Sequence, residues 1–286
     1  MVQTTATGIP AAHDKPAYFT RFTLGQRITH GILMVTFLGL AGTGIPLKFS
    51  SNGAAIAFAN FVGGFGFLLF FHKLCGVTLT AAFIVHAVHV GYKIVSTRNW
   101  GLLWGPSSLV PNLKDLQDLI GQLKWFVWLG PKPKFDRYTY WEKMDYWAVF
   151  WGMAIIGLSG YAMWFAPYVG RLLPGWLMNV ALVIHGEEAL LAVSFIFSVH
   201  FFNENMRPEN FPGDLTIFTG RQTEEEFKER HPLEYERMVA SGDIERLRTV
   251  PPPRWLCNFS RAIGTGAVLI GLYLLVVTAR AFFEAQ

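Results

Sequence analysis

The sequence predicts an all-α, polytopic membrane protein: a bundle of four core helices followed by a fifth, C-terminal transmembrane helix. The first observation is composition, because 52% of the 286 residues are hydrophobic and only 15% are charged, which is too apolar for an ordinary soluble domain. The second is length, because five apolar runs each supply the ~20 residues that cross about 30 Å of hydrocarbon. The third is that six of the eight histidines fall in or at the ends of these runs.

The five predicted spans and the segments between them set the domain organisation. The spans cover residues 27–48, 65–95, 144–167, 176–202 and 262–283. We therefore divide the chain into an N-terminal tail (1–26), a four-helix core (27–203), an extension (204–261) and the fifth helix (262–286). The core includes an outer segment at 49–71 and an inner amphipathic segment at 99–143.

The distribution of Lys and Arg predicts the orientation. Twenty of the 24 basic residues lie in the N-terminal tail and in the connections after the second and fourth spans. Because basic loops stay in the cytoplasm, we expect a cytoplasmic N-terminus and an external C-terminus in a bacterial-type inner membrane.

Three segments outside the spans also carry helical signals. Residues 51–71 are too apolar for a solvated loop and are interpreted as an outer-surface helix or docking platform. Thr223, followed three residues later by Glu226, forms a capping-box pattern. Residues 112–130 predict an amphipathic helix on the inner surface; its apolar positions are Leu116, Leu119, Ile120, Leu123 and Val127.

Several classes of function are disfavoured by composition. No basic patch with interleaved aromatic residues indicates nucleic-acid binding. Cys75 and Cys257 are the two cysteines, and no C-x-x-C-H pattern indicates covalent c-type haem. Residues 1–26 lack the apolar centre of a signal peptide, so no cleavable signal is expected. His13 and His231 lie in polar segments and are expected to be solvated.

The histidines in the second and fourth spans have matched spacing. His185 and His200 are fifteen residues apart, which places them about 60° apart around a helix and ~22 Å along it. His72 and His86 are fourteen apart, or about 40° and ~21 Å. The two spans run in the same direction, so His72 is expected level with His185 and His86 level with His200.

This arrangement predicts two stacked haem sites, one near each membrane face. Neutral imidazole is a common ligand of haem iron, whereas a lone histidine in a span is more often a polar contact between helices. His30 lies level with His86 and His200. Either His30 or His86 therefore pairs with His200, or a third haem is present.

Charged residues beside the histidines are further candidates. Arg27, Lys73 and Arg207 are expected to pair with haem propionates, although snorkelling at a membrane edge would place them similarly. Two carboxylates, Glu187 and Glu188, lie in the fourth span. Glu188, three residues from His185, is the better candidate for a contact with that histidine or for proton transfer.

Six motifs together resemble the cytochrome b (gamma) subunits of membrane-bound formate dehydrogenases and related di-haem respiratory cytochromes. The resemblance covers residues 21–238. The motifs are "LGQRITH", "HKLCG", "YWAVFWGMAIIGLSGYAMWF", "ALVIHGEEALLA", "VHFFNENMRPENFPGD" and "HPLEYE".

The resemblance implies a four-span core with two b haems. The outer haem would take His72 and His185, and the inner haem would take His30 and His200, which leaves His86 without a counterpart. The family places an Asn and a Gln of its quinone site just before the third span. The matching stretch here, "YTYWEK", has Thr139 and Glu142 at those offsets.

The expected function is therefore electron transfer across the membrane, with no bond-breaking catalytic residue. The chain would act as a cytochrome b subunit of a respiratory complex. Electrons would pass between quinone or menaquinone at an inner-face site and an outer partner: a dehydrogenase, a hydrogenase, an Fe–S protein or a multihaem cytochrome. The alternatives are a haem-free proton or metal transporter, which would use the same histidines and carboxylates, and a membrane anchor subunit.

Overall fold

Five long apolar helices form the molecule. The computed structural model describes residues 16–284, so His13 lies outside the described residues. Among those residues five helices are long and apolar enough to cross a membrane, which confirms the predicted all-α polytopic fold. We call them spans 1 to 5: Leu24–Lys48, Phe65–Thr97, Tyr140–Trp164, Trp176–Met206 and Arg254–Glu284.

Three of the predicted span boundaries were wrong by several residues. Span 3 begins at Tyr140 instead of 144, because Thr139 caps it: the Glu142 backbone N–H donates to Thr139 Oγ1 (3.3 Å), and Glu142 Oε2 accepts from the Thr139 backbone N–H (2.7 Å). Span 4 continues through two π-helical stretches, Ile196–His200 and Phe202–Met206. Span 5 begins at Arg254 instead of 262, directly after a run of prolines.

Small residues allow the spans to approach one another closely. A Cβ atom added to Gly39 of span 1 would lie 2.6 Å from Cys75 Sγ of span 2. One added to Gly271 of span 5 would lie 2.5 Å from the ring of Phe201 and 2.7 Å from that of Phe197. Span 5 therefore packs against this chain's own core.

The apolar core lies where spans 1, 4 and 5 meet. Most other large apolar side chains face outwards, as expected for surfaces in contact with lipid. The buried core residues are Ala41, Ile45, Val193, Phe197, Phe201 and Leu274.

Shorter helices occupy the connections. The apolar helix Gly53–Val62 precedes span 2, and Leu113–Phe126 precedes span 3, both in segments where helices were predicted. Leu113–Phe126 is tied to span 3 by a buried ion pair of 2.9 Å between Asp115 and Lys143. The remaining helices are Gly101–Trp104, Ala166–Val169, Thr216–Thr219, Glu224–Arg230, Pro232–Ser241 and Ile244–Leu247.

A small three-stranded antiparallel sheet joins the N-terminal segment to the extension. Its strands are β1 (Tyr18–Thr20), β2 (Arg221–Thr223) and β3 (Arg248–Thr249), in the order β2-β1-β3. No strand was predicted here. We call this sheet, together with the helices from Thr216 to Leu247, the cap. The end of the bundle that carries the cap is called the tail end. The opposite end is the far end.

Buried ion pairs hold the cap in place. Arg21 Nη1 donates to Glu234 Oε2 (2.9 Å) and Arg137 Nη1 donates to Glu234 Oε1 (2.7 Å). The side chains of Arg21 and Glu234 are only 2% and 3% exposed. Beside them, His231 is buried and its Nδ1 donates to the Asp136 carbonyl oxygen at 2.8 Å. The expectation of a solvated His231 was therefore wrong, because its ring is buried against the segment that carries Asp136. The capping box between Thr223 and Glu226 is confirmed.

Candidate functional site

A cavity of about 1890 Å³ runs between spans 1 to 4. Single-ligand pockets hold roughly 300–1,000 Å³, so this space is large enough for more than one bulky group. Its lining includes all six histidines of the spans: His30, His72, His86, His89, His185 and His200.

His72 and His185 face each other across the far half of the cavity. Their ring centres are 6.1 Å apart and the rings are inclined at 72°. Two histidines that bind one metal ion from opposite sides have ring centres roughly 6 Å apart, since each nitrogen–metal bond is about 2 Å long. The pair therefore has the separation that a haem iron between them requires.

Hydrogen bonds fix the protonation of both rings. The Thr43 hydroxyl donates to the Gly39 carbonyl oxygen (2.7 Å), so Thr43 Oγ1 accepts from His72 Nδ1 (3.0 Å). His185 Nδ1 donates to the Ile156 carbonyl oxygen (2.9 Å), which belongs to a π-helical stretch of span 3, Met153–Gly157. Each ring thus presents an unprotonated Nε2, the form in which imidazole binds a metal.

Two glycines leave room for these rings. A Cβ atom on Gly44 would lie 3.2 Å from His72 Cε1, and one on Gly160 would lie 2.9 Å from His185 Cε1. Any larger residue would displace the ring. The small residues on spans 1 and 3 therefore define the positions of both histidines.

A second group of polar side chains lies towards the tail end. His200 Nδ1 is 2.9 Å from Asp145 Oδ2. Asp145, His200 and Glu204 bring their ligand atoms within 4.8 Å of one another. Within the described residues, Asp145 Oδ1 is buried and has no hydrogen-bond partner. Buried oxygens normally have one, so a bound molecule or water is expected beside it.

His30 lines the same region from span 1. Its ring meets the ring of Phe218 edge to face, with the centres 6.4 Å apart. It is close enough to His200 for the two side chains to interact electrostatically. His200 Nδ1 is hydrogen-bonded to Asp145, just as the Nδ1 atoms of His72 and His185 are bonded to their own partners. In all three rings Nε2 therefore points away from the hydrogen-bond partner.

His86 has a different partner. Its Nε2 lies 3.0 Å from the hydroxyl oxygen of Tyr146 on span 3. His89, one turn further along span 2, is exposed. The structure thus places His86 against Tyr146 and gives no direct contact between His86 and His200.

The three predicted cations have separate surroundings. Lys73 lies 4.9 Å from the ring centre of Trp164, and Arg207 lies 4.3 Å from that of Trp141; both line the cavity. Arg27 is not among the cavity-lining residues, and its Nε donates to the Phe218 carbonyl oxygen (2.7 Å). The expectation that Arg27 pairs with a haem propionate stays a prediction.

The carboxylate beside Arg207 remains ionised. Glu209 Oε1 accepts hydrogen bonds from Arg207 (3.0 Å) and Lys132 (2.9 Å). Burial would raise the pKa of Glu209, but its own backbone N–H, the Lys132 ammonium and the Arg207 charge outweigh burial and lower the pKa to about 2. Arg207 and Lys132 together thus carry one positive charge more than Glu209 neutralises.

Thr139 and Glu142 line the cavity but bond to each other. The Thr139 hydroxyl donates to Glu142 Oε2 (2.8 Å) in the capping box at the start of span 3. Glu142 Oε1 is 3.6 Å from Arg21 Nη2. These two side chains therefore stabilise the start of span 3.

Glu187 and Glu188 have different surroundings, and the preference for Glu188 stays a prediction. Glu188 Oε2 accepts from Trp151 Nε1 (3.1 Å) away from the cavity lining, whereas Glu187 lines the cavity and pairs with Lys48 (2.9 Å). The hydrogen-bond partner of His185 Nδ1 is the Ile156 carbonyl oxygen, and neither carboxylate bonds to it.

Sequence reasoning missed four residues of the site: Thr43, Lys48, Asp145 and Tyr146. An acidic residue in an apolar span is a functional signal in its own right. Asp145 was passed over because the predicted span began at residue 144, which placed it at a membrane edge. Thr43, Lys48 and Tyr146 carried no signal in their own spacing.

Comparison with known proteins identifies the family. The family model for prokaryotic cytochrome b561 matches residues 21–202, which include spans 1 to 3, nearly all of span 4 and the six cavity-lining histidines. A comparison with curated proteins finds no match. The chain belongs to the prokaryotic cytochrome b561 family, a family of di-haem b-type respiratory cytochromes.

Proposed function

We propose that the chain is a di-haem cytochrome b subunit that transfers electrons across the membrane between the quinone pool and a redox partner. The observation that carries this proposal is the His72–His185 pair, whose ring centres lie 6.1 Å apart with both Nδ1 atoms already engaged. This pair would hold the haem of the far half of the bundle.

The haem of the tail half would take His30 and His200. Both line the same end of the cavity, and Asp145 holds the His200 ring by Nδ1. His86 is less suited to this task because its Nε2 is directed at Tyr146. Bound haem would supply an iron centre that changes its charge by one electron.

The chain's own residues would position and insulate these groups. Thr43, Ile156 and Asp145 orient the ligand rings and make them more basic. Lys73 and Arg207, which line the cavity, would pair with propionates near its two ends. The apolar walls of spans 1 to 4 keep water away from the electron path.

We place the tail end on the cytoplasmic side of a bacterial inner membrane. The described part of the N-terminal tail (residues 16–23), the cap and the basic connections lie at this end, in accord with the positive-inside rule. Quinone would then bind near the inner haem, and the partner near the outer one. That partner belongs to the dehydrogenase, hydrogenase, Fe–S or multihaem cytochrome classes.

Electron transfer in vesicles tests this proposal. The purified protein would be reconstituted into liposomes, reduced with menadiol in the lipid, and followed by absorbance of reduced b-type haem. Membrane-impermeant ferricyanide added to the vesicles whose far end faces outwards should then reoxidise the haem. A protein with no b-type absorbance would refute the proposal and favour the transporter or anchor alternatives.

A further inference from the structure

His86 and Tyr146 form a hydrogen-bonded pair between spans 2 and 3. His86 Nε2 and the Tyr146 hydroxyl oxygen are 3.0 Å apart, and both side chains are half-buried in the cavity wall. If Tyr146 donates to Nε2, the ring keeps its N–H at Nδ1; if Nε2–H donates, Tyr146 keeps its O–H. In either tautomer one donor remains for a carbonyl oxygen.

Aromatic side chains surround this pair. The Phe150 ring lies with its centre 5.2 Å from that of Tyr146, 5.0 Å from Trp147 and 4.9 Å from Phe83. Trp147 is itself fixed by a hydrogen bond of 3.0 Å from its Nε1 to the Leu109 carbonyl oxygen. A flat ring with a polar edge suits such a site, where apolar walls surround a few oriented donors.

The cavity reaches the lipid-facing surface beside the pair. Val85, next to His86, lines the cavity although the residue is 69% exposed. Trp147 also lines it and is 40% exposed. A ligand with a long apolar tail could therefore enter sideways from the bilayer and leave its tail between the helices.

The pair is also adjacent to the tail-half histidines. Tyr146 follows Asp145 directly, so their Cα atoms are about 3.8 Å apart. Asp145 contacts His200 while Tyr146 contacts His86. One turn of span 3 thus connects the candidate inner haem to the pocket between spans 2 and 3.

From these observations we infer that His86 and Tyr146 bind the ring carbonyl of a quinone in a lateral pocket between spans 2 and 3. The inference rests on the proposed function and specifies its quinone site. It assigns His86 to substrate binding. The quinone contacts are then made by His86 and Tyr146, which retain one free hydrogen-bond donor, and not by Thr139 and Glu142, which bond to each other.

Binding of heptyl-hydroxyquinoline N-oxide, a fluorescent quinone analogue, tests the inference on the purified full-length protein. Two variants remove the polar groups: His86→Leu and Tyr146→Phe. Tyr161→Phe is the matched control, because Tyr161 also donates across spans 2 and 3, to Thr80 Oγ1 at 3.0 Å. Haem content would be measured on each sample.

We expect wild-type haem content in all three variants. At least one of His86→Leu and Tyr146→Phe should bind the analogue roughly tenfold more weakly, as loss of one hydrogen bond to the ligand predicts. Tyr161→Phe should bind as wild type. The larger loss identifies the group that donates to the carbonyl.

Three results would overturn the inference: unchanged binding in both variants, an equal loss in the Tyr161→Phe control, or loss of a haem in His86→Leu. The last would make His86 an iron ligand. A wild-type protein without haem would instead refute the proposed function, so the two failures are distinguishable.

Discussion

Replacing Gly160 with alanine should weaken the far-half haem site. The new methyl carbon would lie 2.9 Å from His185 Cε1, whereas carbon atoms in contact are about 3.5–4.0 Å apart. The His185 ring would therefore have to move by roughly 0.6 Å or more. Such overpacking costs about 1–3 kcal/mol, which corresponds to roughly a 5- to 150-fold loss in affinity for the group that the ring holds.

Gly152→Ala is the matched control on the same span. Its added methyl group would meet no atom closer than Ile156 Cδ1 at 3.9 Å, and both substitutions raise helix propensity by up to about 1 kcal/mol. The assay is the haem-to-protein ratio after detergent extraction and dilution, with a redox titration of the haem that remains. If the Gly160→Ala protein retained haem and potentials like those of Gly152→Ala, the proposed role of His185 would be refuted.

The other predictions concern the cap and span 5. Burial and the nearby Arg21 charge hold the pKa of His231 well below its usual range, so the unfolded chain binds more protons below about pH 6.5. The free energy of unfolding should fall by up to about 1.4 kcal/mol per pH unit below that value, and His231→Gln should remove this part of the slope in thermal unfolding. Gly271→Ala should separate span 5 from spans 1 and 4 and lower the melting temperature, whereas Gly266→Ala, with no atom within 4 Å, should not; equal melting temperatures would contradict the packing of span 5.

The fold class and the five spans could be predicted because hydrophobic length is a strong signal in one dimension. The capping box at Thr223 and Glu226 was predicted on similarly local grounds. The strands of the cap could not be predicted, since each has only two or three residues, too few to show an alternating pattern. Their pairing joins residues about 200 apart in the chain.

The candidate site was only partly predictable, because the sequence of an apolar span says little about which side of the helix faces the cavity. Spacing predicted that His72 and His185 lie at the same level, and the structure places their ring centres 6.1 Å apart. The spacing argument assumed a regular α-helix, but His200 lies in a π-helical stretch, where the angle per residue differs. The partners of the rings, Thr43, Ile156 and Asp145, come from other helices, so no local pattern could indicate them.

The central claim is that His72 and His185 share one haem and that His200 belongs to another. It is tested most directly by counting b-type haem per chain in histidine variants. We expect about two haems in the wild type, about one in His72→Ala, in His185→Ala and in the variant with both changes, and almost none when His72→Ala is combined with His200→Ala. A wild type without haem, or a further loss on combining His72→Ala with His185→Ala, would contradict the account.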